Sequence, residues 1–126
     1  PTPAITELCT TNDAYLVPID GDIAAKLMES SPFYTSYVIP AGTYNGQTED
    51  VTTVTVKATL IVSANAAEDT VYNITKAIFD NIDTITTAHA KGAELSLENA
   101  TGDISVPFHV GAAKYFAENG FYAPTE

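Results

Sequence analysis

The sequence predicts an α/β domain, or part of one, and two patterns indicate that class. Apolar and polar residues alternate across Thr52–Val62, as they do in a half-buried strand. Apolar residues then recur at helical spacing from Asn65 to about His89. The 126 residues fit one domain, and the predicted order of elements is β-α-β-β-α-α.

The N-terminal residues predict two short elements. Pro1–Leu8 carries the apolar spacing of the end of a helix. Ala14–Ile19 reads AYLVPI, a short run rich in strand formers, which predicts a buried strand with Pro18 near its end. Because the chain begins at Pro1 without Met or a signal peptide, we expect a processed product or the C-terminal piece of a longer protein.

A helix is predicted from about Asp22 to Ser30, and a strand follows it. Asp20-Gly21-Asp22 offers the N-cap, and Pro32 stops the helix. The predicted inner face of this helix is Ile23, Ala24 and Leu27. Thr35–Ile39 is strand-like, and Pro40-Ala41-Gly42 breaks it.

The long helix in the second half of the chain carries a start signal. Asn65 followed by Glu68 resembles a capping box, and the apolar stripe then runs to about His89. Lys91-Gly92 closes this helix. A last short helix is predicted at about Gly111–Glu118, ended by Asn119-Gly120.

The charge balance excludes two classes of partner. The net charge is −11, and the five basic residues are all lysines. Nucleic acids and anionic membranes are bound through basic patches, so neither is expected as a partner. Since the chain has no arginine, a bidentate grip on a carboxylate must come from lysine, backbone N–H groups or another part of the molecule.

Catalytic and metal-binding patterns are weak, so we expect neither an enzyme nor a bound cofactor. Cys9, the single cysteine, excludes an intrachain disulfide and has no local partner for a thiol–imidazole pair with His89 or His109. Two isolated histidines make a poor zinc site. Gly42-x-x-x-Gly46 lacks the Lys-Ser/Thr of a phosphate loop, and no run of 18 apolar residues predicts a membrane span.

The segment Ser31–Asp50, SPFYTSYVIPAGTYNGQTED, is the most informative part of the chain. It is too aromatic for an ordinary solvated loop and too interrupted by proline and glycine for one regular element. Such a segment is typical of a cleft wall where aromatic rings and polar turn groups meet a ligand. The alternative is a long loop whose aromatic side chains fill the core of the domain itself.

Three segments carry a family resemblance. They are LVPIDG with SPFYTSYVIPAGTYNGQTEDVTTVTV, then EDTVYNITKAIFDNID with TAHA, then LENATGDISVPFHVGAAKYFAENGFY. In this order and spacing they resemble the C-terminal part of the TAXI family, the extracytoplasmic solute receptors of TRAP (tripartite ATP-independent periplasmic) transporters. The most specific match is Ile39–Tyr44 with Gln47, followed by Pro107-Phe108-His109. Val110 and Thr52 stand where that family commonly has proline.

The resemblance implies part of a type II periplasmic binding protein fold, two-lobed, with a mixed sheet and flanking helices. Residues from about 1 to 50 would then belong to the second lobe and the crossing, and residues from about 51 to 126 would return to the first lobe. The implied function is binding of a small organic acid or amino acid, such as glutamate, for uptake. The implied partners are the membrane subunits of a TRAP transporter, and the implied location is periplasmic or otherwise extracytoplasmic.

The resemblance also assigns candidate ligand-binding residues. Gly42, Thr43, Tyr44 and Gln47 are the matched family motif. Tyr34 and Tyr37 are added from the residues themselves as aromatic walls, with core packing as the alternative for each tyrosine. For His109 and Gly111 we expect a role at the start of a helix. The rival hypothesis is a self-associating interaction domain, with the aromatic segment as its interface and a homo-oligomer as its product.

Overall fold

The computed structural model describes residues 1–126, which divide into two compact units, residues 1–57 and residues 58–126. Six α-helices and a two-stranded sheet confirm the mixed α/β class. The elements in chain order are α1 (Pro3–Thr11), α2 (Gly21–Ser30), β1 (Tyr34–Ile39), β2 (Val51–Val56), α3 (Glu68–Asp80), α4 (Ile82–Ala88), a 3₁₀ helix (Ala90–Glu94), α5 (Leu97–Thr101) and α6 (Val110–Glu118).

The first unit is built on an antiparallel pair of strands. β1 and β2 pair over their full lengths, from Tyr34 opposite Val56 to Ile39 opposite Val51. Both strands consist largely of β-branched and aromatic residues, which favour a pleated, half-buried surface. α2 packs beside β1, and Ala24 on α2 is buried. The predicted inner face of this helix is wrong at Ile23, whose side chain is 73% exposed.

The predicted buried strand at Ala14–Ile19 is also wrong. The segment has no regular structure, and Tyr15 is 87% exposed. One backbone hydrogen bond, from Ile19 N–H to the carbonyl oxygen of Thr52 (3.0 Å), joins it to β2. Because Pro18 has no N–H to donate, it interrupts any ladder of hydrogen bonds along this edge of the sheet.

The predicted long strand at Thr52–Val62 is correct only in its first half. β2 runs from Val51 to Val56, and β1 has no residue left to pair beyond Tyr34. The residues that follow, in the second unit, form neither helix nor strand, and Leu60 and Ile61 are 76% and 80% exposed. The alternation of apolar and polar residues therefore identifies a sequence that can form a strand. It does not show where the partner strand β1 ends, and this sets the length of β2.

The second unit is organised around the close packing of α3 against α6. Gly111 on α6 lies so near α3 that a Cβ atom there would overlap the carbonyl oxygen of Glu68 and lie 2.8 Å from the backbone nitrogen of Tyr72. Two polar contacts flank this crossing. Lys114 Nζ pairs with Glu68 Oε1 at 2.9 Å, and the Tyr72 hydroxyl donates to Glu118 Oε2 at 2.6 Å.

Aromatic side chains form the core of the second unit. Phe116 contacts the rings of Phe79 and Phe108 edge-on, with centroids 5.6 and 5.7 Å apart. Tyr115 stacks on Phe79 at 5.7 Å and meets Tyr72 edge-on at 5.8 Å. These are the offset and edge-to-face arrangements that aromatic rings prefer, so the cluster adds specific geometry to its apolar burial.

The long helix predicted from Asn65 to about His89 is divided in the structure. It begins at Glu68 with Ala67 at the N-cap and without a side-chain cap, so the predicted capping box of Asn65 and Glu68 is wrong. Asn81 leaves helical geometry (φ −123°, ψ 27°), and its side-chain amide donates to the carbonyl oxygen of Ala77 at 2.8 Å. Such a local side-chain bond competes with continuation of the helix, and α4 begins at the next residue.

The predicted last helix is confirmed at both ends. His109 caps α6 because its Nδ1 accepts from Gly111 N–H at 3.1 Å. After Asn119, Gly120 N–H donates to the carbonyl of Ala117 and Phe121 N–H donates to that of Phe116. These are the two hydrogen bonds of a Schellman motif, and Phe121 packs against the aromatic core as that motif favours.

Gly111→Ala tests the close packing of α3 and α6. Alanine has the higher helix propensity by about 1 kcal/mol. Its methyl group would nevertheless meet backbone atoms that cannot rotate away. We therefore expect the free energy of unfolding to fall by about 2 kcal/mol, in the range of overpacked sites. Denaturant unfolding measures this change, and Ala117→Gly on the exposed side of α6 measures the propensity difference alone, about 1 kcal/mol. A variant as stable as the parent protein would contradict the packing.

Tyr72 provides a pH test of the α3–α6 contact. The hydrogen bond to the Glu118 carboxylate raises the pKa of Tyr72 above its ordinary value of about 10. Because this pKa is raised in the folded state, the contact contributes its full stabilisation at pH values below about 10. That stabilisation is lost as the pH rises through the pKa of Tyr72 in the folded protein.

We expect Glu118→Gln to move the Tyr72 pKa back toward its ordinary value, measured by NMR titration of the ring. Glu126→Gln, which changes an exposed carboxylate outside this contact, is the control. An unchanged Tyr72 titration in Glu118→Gln would contradict the assigned cause.

Candidate functional site

The loop between β1 and β2, residues 40–50, contains the matched motif and is called the β1–β2 loop below. Gly42 and Gly46 adopt positive φ angles of 77° and 79°. Side chains other than glycine are strained in that region, so these two residues allow the loop to reverse twice within a few residues. The sequence Gly-Thr-Tyr-Asn-Gly thus folds as a compact double turn.

The side chain of Gln47 holds this loop together from inside. Its Oε1 accepts from Tyr44 N–H at 3.3 Å. Its Nε2 lies 3.2, 3.1 and 3.0 Å from the carbonyl oxygens of Ile39, Pro40 and Glu49. The amide therefore links both ends of the loop to its centre. The ligand-contact role expected for Gln47 stays a prediction, while the structure gives this amide a positioning role.

Three further hydrogen bonds hold the first residues of the loop in place. The Pro40 carbonyl accepts from the Thr43 hydroxyl at 2.7 Å and from Thr43 N–H at 3.2 Å. Ala41 N–H donates to the Asp50 carboxylate at 2.8 Å. Hydrogen bonds to a charged acceptor are stronger than those between neutral groups, so Asp50 is a firm anchor for the start of the loop.

The tip of the loop is fastened to α1. The Tyr44 hydroxyl accepts from Thr2 N–H at 3.0 Å, and the Asn45 side-chain amide donates to the Cys9 carbonyl at 3.0 Å. Both contacts join residues that are far apart in sequence. As an acceptor in this contact, the Tyr44 hydroxyl keeps its own proton available for donation.

A small cavity of about 180 Å³ lies where the loop meets α1 and the segment that follows α1. Tyr44 and Gln47 of the predicted site line it, whereas Gly42 and Thr43 do not. The full lining is Cys9, Ala14, Tyr15, Leu16, Tyr44, Asn45, Gly46, Gln47, Thr48, Glu49 and Val51. No basic side chain is among them.

The two tyrosines of β1 do not lie on the same face of the strand. Tyr34 and Tyr37 are three residues apart on β1, and side chains alternate between the faces of a strand, so the two rings lie on opposite faces. Tyr34 packs against Phe33 with ring centroids 4.8 Å apart. Both tyrosines are half-buried, and neither lines the cavity. Their role as ligand walls stays a prediction.

The second unit has a larger depression of about 470 Å³, lined mainly by aromatic and aliphatic side chains. His109 and Gly111 lie outside it and start α6, which confirms the helix-start role expected for them. His109 Nε2 also lies 3.1 Å from the carbonyl oxygen of Ala66. No group of three or more His, Cys, Asp or Glu side chains is arranged to hold a metal ion. None of the helices has the length and apolar character needed to cross a bilayer.

The predicted site contains two of the eleven residues that line the cavity, Tyr44 and Gln47. Three of the others matter for its chemistry: Cys9 and Glu49 have no predicted role, and Tyr15 lies in the predicted buried strand. One sequence signal could have placed Tyr15 correctly. It lies in the run Ala14–Ile19, which Pro18 interrupts, and such a run is as typical of an exposed irregular segment as of a buried strand. Their proximity to Tyr44 depends on the docking of α1 on the loop, which no local pattern reports.

Gln47→Leu separates positioning from ligand contact. Leucine keeps the approximate size of the side chain but removes the internal bonds, so we expect unfolding free energy to fall by about 1–3 kcal/mol. Urea unfolding of the variant measures the loss, and Thr48→Ala, one residue away and exposed, is the control. Unchanged stability combined with weaker ligand binding would show instead that the amide serves the ligand.

A comparison with known families gives a match over most of the chain. A family model described as the NMT1-like family matches residues 1–120, which is nearly the whole chain and includes the β1–β2 loop, the α3–α6 pair and the His109 cap. It supports the resemblance at the level of a solute-binding protein. The chain belongs to the NMT1-like family, a family of periplasmic solute-binding proteins.

Proposed function

We propose that the chain acts as the extracytoplasmic solute-binding component of a TRAP transporter of the TAXI type and performs no catalysis. Its solute is a small organic acid or an amino acid of the glutamate kind. The observation that carries the proposal is the β1–β2 loop, in which the matched motif is stabilised internally by Gln47 beside a cavity of about 180 Å³. A preformed loop of this kind binds a ligand without a further cost of ordering.

The proposal extends to architecture and partners. Residues from about 1 to 50 belong to the second lobe and the crossing of a type II binding protein, and residues from about 51 to 126 return to the first lobe. The two lobes close around the solute, and the closed form docks on the membrane subunits of the transporter in the periplasm. The net charge of −11 speaks against nucleic acid as a partner.

The donors for an acidic solute on this side of the site are few. The chain has no arginine, so an Arg–carboxylate clamp is absent from it. Among the predicted residues, Tyr44 has a hydroxyl that accepts from Thr2 and can donate its proton to a carboxylate. The Thr43 hydroxyl already donates to the Pro40 carbonyl and retains only acceptor capacity. Tyr44 is therefore the primary contact on this side of the site, and in this proposal donors from the rest of the receptor dominate the recognition of an acidic solute.

A self-associating interaction domain is the second candidate, and exposed apolar residues favour it. Phe33 is 47% exposed beside β1, and Leu60 and Ile61 are exposed in the second unit. In this alternative, substitution of Phe33 or Tyr37 by alanine abolishes assembly, which light scattering measures as solution mass. An assembly that also binds a solute remains compatible with the receptor.

Calorimetric titration of the full-length protein, with both proposed lobes present, tests the receptor function with monocarboxylates, dicarboxylates and amino acids. We expect at least one class to bind and Tyr44→Phe to weaken it about tenfold, because the hydroxyl donor is lost while the ring is kept. Tyr44→Ala and Thr43→Ala complete the series, and Tyr122→Ala, an exposed tyrosine of the other unit, is the control. Unchanged affinity in both Tyr44→Ala and Thr43→Ala would refute the site, and a complete absence of binding would refute the function.

A further inference from the structure

The cavity beside the β1–β2 loop is surrounded by groups that favour a positive charge. We propose that it binds the ammonium group of a primary-amine solute, such as the α-amino group of an amino acid. This assignment rests on the proposed receptor function and narrows its substrate class. It is argued from the carboxylate, the helix end and the aromatic rings that meet at the cavity.

Glu49 supplies the negative charge. It is the only Asp or Glu residue of the lining, and neither lysine of the first unit, Lys26 or Lys57, is part of that lining. Its carboxylate is exposed and takes part in no hydrogen bond or ion pair of the structure. An incoming ammonium group therefore displaces no existing partner.

The C-terminal end of α1 also makes the electrostatic potential at the cavity more negative. Cys9 lines the cavity and lies in the last turn of α1, which ends at Thr11. Carbonyl groups at a helix C-terminus carry the negative end of the helix dipole, which favours cations and disfavours anions. The side-chain amide of Asn45 already donates a hydrogen bond to the Cys9 carbonyl. The helix therefore contributes through its electrostatic field, and this carbonyl does not bind the ammonium group directly.

Two aromatic rings complete the arrangement. Tyr15 and Tyr44 both line the cavity, and the face of a tyrosine ring attracts an ammonium group through its quadrupole. Tyr44 is held by its hydrogen bond to Thr2, whereas Tyr15 is 87% exposed. Tyr15 can therefore be changed with little effect on folding, which makes it a clean probe.

The size of the cavity fits a head group. Its volume of about 180 Å³ is below the range of roughly 300–1,000 Å³ that holds a drug-sized ligand. It accommodates an ammonium group with the first few carbon atoms. A carboxylate beside Glu49 would face that side chain and the negative end of α1, so the acidic end of an amino acid lies at the Tyr44 hydroxyl and the ammonium group lies on the Glu49 side of the cavity.

Matched pairs of probes test the selectivity by calorimetry on the full-length protein: L-glutamate against glutarate, and L-leucine against 4-methylpentanoate. Each pair differs by the amino group alone. We expect the amino acid to bind about tenfold more tightly than its deaminated partner. Glu49→Gln and Tyr15→Ala should each reduce that ratio about threefold or more. Glu29→Gln, on the exposed face of α2 in the same unit, should leave it unchanged.

Butylamine at millimolar concentration, followed by NMR, tests the cavity independently of any receptor function. We expect it to shift the signals of Tyr15 and the Gly46 amide, and Glu49→Gln to suppress those shifts. If butylamine has this effect but no acid or amino acid binds, the ammonium site stands and the receptor function is refuted. Equal binding within each matched pair, or an absence of shifts with butylamine, overturns the ammonium site.

Discussion

The side-chain amide of Gln47 is the contact on which the geometry of the candidate site depends. A loop with two glycines at positive φ has little intrinsic preference for one conformation, because glycine loses more backbone freedom on folding than any other residue. Gln47 offsets this by bonding to backbone groups at the start, centre and end of the loop. The fixed position of Tyr44 follows from it, and the cavity against α1 follows from the position of Tyr44.

The elements that were predictable from sequence are those whose signals are local. β1 and α6 form where β-branched residues and the Asn119-Gly120 stop indicate them, and α2 begins where predicted although the side chain of Asp20 makes no capping hydrogen bond. The errors concern elements whose limits depend on a partner. β2 stops at Val56 because β1 supplies no further residue, and the division at Asn81 depends on a side-chain bond that competes with an otherwise continuous apolar stripe.

The candidate site was predictable to the same extent. The β1–β2 loop was identified from its own residues, but Tyr15 and Glu49 join it only because α1 and the segment after it dock on the loop. The lysine pairs of the second unit are mostly local by contrast, because Lys76 and Lys91 pair with carboxylates three or four residues away and only Lys114 pairs with a distant one, Glu68. In the second unit Lys76, Lys91 and Lys114 each pair with a carboxylate within 3 Å, at 2.6, 2.6 and 2.9 Å. These lysines form ion pairs at the surface of the second unit, and exposed pairs of this kind contribute little to the free energy of unfolding.

The exposed pair Leu60 and Ile61 has a consequence for how the protein behaves in solution. Two adjacent exposed apolar side chains in a segment without regular structure offer apolar surface to other molecules. At neutral pH the net charge of −11 keeps such molecules apart by mutual repulsion. Near the isoelectric point of about 4.2 that repulsion disappears while the apolar run remains. We therefore expect acidification toward that point to favour association through this segment, and mildly alkaline buffers of low ionic strength to oppose it.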